Sequence, residues 1–350
     1  MKNKLSGKAD LLNLKDIDRY ISKKWFSELL LMSKLRIILF IFIFPVFTSL
    51  QGQPVSGSKE ISLGYPVYSQ YLQNGLLVNP AYAGSRGALS GFLSYRMQWM
   101  GIENAPVFQT LSLHAPMKND RVALGIMGQF MQYGFTRSKS IYASYAYNIR
   151  LGEGKLSFGI KGGVDLSNTD YTGIDLTDPG DPLFLENGKY ILPNIGAGIY
   201  YYSNKLFAGI SVPQFLSYQK TETGGVQAYH SFSNYDFIFT AGGLIAFSDF
   251  LKFKPSVLVN YSLQETKKLT QLDINGNFIL GDLLWVGGSW RTTEQVAVGI
   301  LQIQINQQLM LGFSYDYPVG TLSSYSKGSA EFILRYEFGS KISAANPRYF

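Results

Sequence analysis

The chain has no cysteine and only two histidines, and charged residues make up just 16% of its 350 positions. Without thiols there is no disulfide framework, no thiolate metal site and no cysteine nucleophile. His114 and His230 stand alone, in no H-x-x-x-H or H-E-x-x-H spacing that could hold zinc. Long apolar runs are scarce too: beyond residue 53 none approaches the ~18–20 residues that a membrane-spanning helix needs. Positive charge is concentrated rather than spread. Of the formal +7, residues 1–50 hold nine Lys/Arg and four Asp/Glu and so account for +5, which leaves +2 for the rest of the chain. That balance, with no basic run interleaved with aromatics, excludes nucleic acid as the partner.

What is abundant points to strands. Hydrophobic residues make up 46% of the chain, too many for a disordered protein, and 36 Gly accompany 24 Tyr and 24 Phe. Such a mixture weakens helices and suits strands punctuated by turns. From Lys155 to Ser167, Leu156, Phe158, Ile160, Val164 and Leu166 alternate with Lys155, Ser157, Lys161, Asp165 and Ser167. The same period of two recurs at 271–280 and 329–338. Each segment runs for about ten residues, the length of a tilted membrane strand rather than the five or six of a soluble one.

About fourteen such segments lie between residues 87 and 338. Their connections alternate in length: 117–120, 152–154, 203–204, 248–250, 281–282 and 306–307 are short, whereas the two longest, 169–190 and 214–235, both fall in the other set. Outer-membrane barrels alternate periplasmic turns and external loops in this way. The expectation is therefore an all-β fold: a closed antiparallel transmembrane β-barrel of about 14 strands in the outer membrane, its first strand starting on the periplasmic side. A soluble β-sandwich is the alternative. Alternation is poor around Gly242–Gly243, and the apolar phase jumps at Ile300–Leu301, where a β-bulge is expected.

The N-terminus reads as an export signal. Residues 37–47 form an apolar core preceded by Lys34 and Arg36 and followed by small and polar residues, too short to span a bilayer as a helix. Residues 1–53 are assigned to the signal peptide, with cleavage near 51–53; a membrane anchor is the alternative, and Met32 makes a more ordinary translation start than Met1. Residues 54–86 are a periplasmic or plug segment, 87–338 the barrel, and 339–350 a C-terminal periplasmic tail.

The front segment carries Asn79, Pro80, Ala81, Tyr82, Ala83 and Gly84. Proline fixes φ here and small residues permit close backbone approach, which suits a turn seated in the mouth or lumen as a plug that meets partners. Strand phase turns Arg96, Gln98, His114, Lys161, Asp165, Asp273, Glu331 and Arg335 toward the lumen, because charge on the lipid face costs about 2–4 kcal/mol at mid-depth. Lys155, Lys254 and Glu337 follow the same rule. These mixed signs suit a self-paired lumen. Nothing points to an enzyme. Ser112 and His114 share a strand face without a triad, Asp175, Asp178 and Asp181 lack the EF-hand glutamate, and Gly196 and Gly198 sit inside a strand rather than in a phosphate loop. Neither a cofactor nor a small-molecule substrate is expected.

Several motifs converge on one family. The stretch from Tyr65 to Tyr71, Asn79 to Ser85, Tyr95 to Pro106 and Ser112 to Pro116 resembles the PorP/SprF family of type IX secretion outer-membrane proteins of Bacteroidetes. Ser314–Tyr317, Leu334–Phe338 and the tail Asn346–Phe350 continue the likeness, whereas Tyr65 and Asn104 depart from the family's usual Asp and Gly. The resemblance implies a non-enzymatic barrel that helps to export secreted proteins or to anchor adhesins at the cell surface, with a link to gliding. It also implies the type IX secretion machinery and a secreted surface protein as partners, beside outer-membrane lipid. A passive porin or hydrophobic-solute transporter is the alternative.

Overall fold

In the computed structural model, alternation over ten or so residues becomes fourteen antiparallel strands that close on themselves. The structure describes residues 60–61, 67–117, 120–171, 188–221, 225–263 and 269–339. The apolar run at 37–47, the aspartates at 175–181 and the tail beyond 339 lie outside the described residues.

The strands are β1 (Leu89–Met97), β2 (Val107–Pro116), β3 (Val122–Tyr133), β4 (Thr136–Leu151), β5 (Gly154–Thr169), β6 (Gly188–Tyr202) and β7 (Leu206–Val212). They continue with β8 (Asp236–Gly243), β9 (Leu251–Ser262), β10 (Leu269–Leu280), β11 (Leu284–Arg291), β12 (Val296–Gln304), β13 (Leu309–Pro318) and β14 (Ser329–Phe338). Neighbours in sequence are neighbours in the sheet, and β14 pairs with β1 from Ala330↔Met97 to Phe338↔Leu89. Closure removes the free edges that an open sheet would expose.

Turn chemistry sets the short end. Gly281 and Asp282 both have positive φ (57° and 56°), which tightens the three-residue connection between β10 and β11. Opposite this end lies the loop between β7 and β8, where Ser217–Lys220 pairs with Val226–Tyr229. By turn length the first end faces the periplasm and the second the exterior.

Side chains divide by phase. Leu93, Ile160, Ile191 and Ile274 point outward and are 50–72% exposed, which is the dress of a lipid-facing wall. Ser90, Ser94 and Arg96 on β1 point inward and are buried. The bulge expected at Ile300–Leu301 is absent: β12 stays in register with β11 and β13 throughout. The phase jump has another cause, because Val296, Val298 and Ile300 face inward as a small buried apolar cluster. The register shift falls instead at Asn260/Tyr261, between β9 and β10. Near Gly242–Gly243 the strand ends, and Ile245–Ala246 pairs separately with β9.

The chain before β1 does not stay at the short-turn end where β1 begins. Glu60–Ile61 pairs with Ser217–Lys220 at the long-loop end. Most of residues 67–86 are buried, and the segment leads to Leu89 at the opposite mouth. This strap contains three one-turn 3-10 pieces, Tyr71–Gln73, Gly75–Leu77 and Pro80–Tyr82, and pairs with no barrel strand.

Candidate functional site: the strapped lumen

The strap meets the wall at three depths. At the outer depth, Arg96 on β1 binds Asp316 on β13 (2.6 Å) and Glu331 on β14 (3.4 Å). Arg291 at the end of β11 binds Asp273 on β10 (3.0 Å) and shares Asp316 (3.2 Å). All five side chains are buried, so each charge needs the others: removing one partner would leave an uncompensated buried ion. Ser69 of the strap sits at their centre. Its N–H donates to Glu331 (2.8 Å) and its hydroxyl to Asp316 (2.7 Å), while Arg96 and Arg291 donate to that same oxygen at 3.0 and 3.2 Å. Beside it the Tyr68 hydroxyl meets Thr110 and Gln129.

Amides fill the middle. Gln73 donates to Gln302 (2.6 Å), Gln302 to Gln70 (3.0 Å), and Arg335 to Gln73. Asn74 donates to Ser112 (2.6 Å), and Asn275 to the Tyr71 hydroxyl (3.0 Å).

At the inner depth the Asn79–Gly84 motif does the seating. Asn79 caps the turn that Pro80 opens by accepting from the Ala81 N–H (2.9 Å). Its amide donates to the carbonyls of Ile199 (3.0 Å) and Ile210 (3.3 Å) on β6 and β7. Ala81 is wholly buried against Gly159, where an added Cβ would strike the strap backbone. Gly84 takes φ +72°, which favours glycine, and donates its N–H to His114 Nδ1 (3.0 Å). The Tyr82 ring stands edge-on to His114 and Tyr200. Arg86 closes the mouth on Glu337 (2.6 Å).

The structure thus brings Arg96, Glu331, Arg335 and His114 onto the strap, while Asp273 reaches it only through Arg291. Lys161 and Asp165 form a separate patch, where Asp165 accepts from Ser140 and Tyr142 and the Lys161 ammonium lies 4.6 Å from the Tyr142 ring centre. Gln98 is buried near the outer end of β1. Lys254 lies between the Phe207 and Trp285 rings (5.7 and 5.5 Å), and Lys155 sits at the inner mouth, 3.6 Å from Asp120. Ser112 and His114 are each engaged by the strap, the first by Asn74 and the second by Gly84. His230 contacts Tyr235 in the outer loop. Sequence reasoning does not reach Ser69, Gln73, Arg291 or Gln302. Asp316 had a signal, since Ser314 and Asp316 alternate with Tyr315 and Tyr317.

A family description fits this barrel. Residues 61–336 match "Type IX secretion system membrane protein PorP/SprF". The chain belongs to the PorP/SprF family. It is an outer-membrane β-barrel of the type IX secretion family, and that family suggests association with the secretion machinery. Among solved structures it is similar to the Ralstonia pickettii toluene transporter TbuX, at 12% identity and TM-score 0.43 over 76% of this chain and 94% of the other. It is also similar to Acinetobacter baumannii Omp33, at 8% identity and TM-score 0.39 over 71% and 96%. A third is the translocator domain of the Neisseria meningitidis autotransporter NalP, at 12% identity and TM-score 0.35 over 72% and 88%. No curated protein sequence matches.

Proposed function

We propose that this PorP/SprF barrel is a non-enzymatic component that assists the export of secreted proteins, gliding adhesins among them, or holds them at the cell surface. The carrying observation is the strap: residues 67–86 cross the lumen and bind its wall at every depth. A wall whose buried arginines and carboxylates neutralise one another around a polypeptide suits a platform for protein partners better than a free diffusion path for solutes. Partners then meet it at its two mouths, the secretion machinery from the periplasm and the secreted protein from outside.

The test is affinity capture of the loop-tagged barrel from mild-detergent outer membranes of its native host. A stoichiometric secreted or secretion-machinery protein is the expected companion. Recovery of the barrel alone, conducting freely in bilayers, would favour the passive pore instead.

A further inference from the structure

The strap is held through its backbone as well as its side chains. At the outer depth the Glu331 carboxylate accepts the Ser69 N–H (2.8 Å); in the middle the Ser211 hydroxyl donates to the Val78 carbonyl (2.6 Å); at the inner end His114 accepts the Gly84 N–H (3.0 Å). Backbone groups are common to every polypeptide, so these three contacts do not depend on the strap's sequence. What does depend on sequence is the side-chain bonding of Gln73, Asn74, Asn79 and Arg86, and room. Gly84 passes Ala123 with no space for a side chain, and Ala81 is wholly buried where its backbone presses on Gly159.

At the outer depth every ion comes from the wall. Arg96, Arg291, Asp273, Asp316 and Glu331 all belong to strands, and the strap brings only the neutral Ser69. The sheet's own ladder does not include the strap, which pairs with no barrel strand and continues covalently only into β1. The wall also holds hydrogen-bonding groups that the strap does not use. The buried hydroxyls of Ser94, Ser157, Ser289 and Ser314 have no partner among the described residues.

We infer that the lumen is a binding groove for an extended polypeptide, which the chain's own residues 67–86 occupy in cis and which a segment of a protein partner can occupy in their place. The incoming segment needs small residues where Ala81 and Gly84 lie and polar residues elsewhere. This inference rests on the secretion reading for the source of that segment. Its chemistry is testable on the barrel alone.

The experiment inserts a protease site between Gly87 and Ala88, cuts the purified, folded barrel there, and adds a fluorescent synthetic peptide of residues 67–86. Saturable binding, read by anisotropy, is expected. A second polar peptide that keeps only the two small residues should compete, whereas the peptide carrying Ala81→Trp and Gly84→Trp should not. Glu331→Gln, Ser211→Ala and His114→Ala barrels should each bind about fivefold to a hundredfold more weakly. In the uncut barrel, excess peptide should speed hydrogen exchange at the strap amides, a readout that does not depend on cleavage. Lack of peptide binding together with unchanged strap exchange would overturn the inference, as would binding confined to the native sequence. Either result leaves the companion found by affinity capture standing, while loss of that companion leaves peptide binding untouched.

Discussion

Asp316 lies between two buried guanidinium groups and a strap hydroxyl. Asp316→Asn is expected to cost about 3–5 kcal/mol of folding stability, as breaking a buried ion network does, measured by urea unfolding of the barrel in liposomes. At the inner depth the deciding quantity is volume. Gly159→Val would press on the Ala81 backbone and is expected to cost about 1–3 kcal/mol and to expose residues 67–86 to added protease, read by limited proteolysis. The sequence made Arg96, Asp273, Glu331 and Arg335 legible as inward residues, because a period of two and the cost of charge in lipid leave them one face. It could not show that Ser69 meets Asp316 or that Gln73 meets Arg335, pairs separated by 247 and 262 positions. Such contacts follow from barrel closure and strap path, for which no local pattern exists.

Among elements, the strands were the most legible part. Alternation located all fourteen, and turn lengths sorted the two ends. The bulge at Ile300–Leu301 failed because apolar residues were assumed to face lipid, whereas Val296, Val298 and Ile300 pack together inside. The strap was less legible, since it has neither strand nor helix period and its one-turn pieces are fixed by contact with the wall. Lipid-facing positions follow the simpler rule. Ile160 points outward near the middle of β5, so Ile160→Lys is expected to destabilise the barrel by about 2–4 kcal/mol in the same liposome assay.

Across the whole molecule, threading separates what an even strand count would keep together. β14 ends at Phe338 beside Leu89 at the short-turn mouth, whereas Glu60–Ile61 lies at the long-loop mouth. An epitope tag placed just before Glu60 is therefore expected to bind antibody on intact cells. The chain has no cysteine, so a single Asn204→Cys in a short turn gives one defined label site, expected to react with an impermeant maleimide only after the outer membrane is opened. The most direct measurement on the central claim is the conductance of the purified, uncut barrel in a planar bilayer. A barrel closed by its own strap should insert without steady single-channel steps, and steps should appear once the strap is cut and washed away. Steady conductance from the intact chain, equal to that of the cut one, would contradict a lumen held shut by residues 67–86.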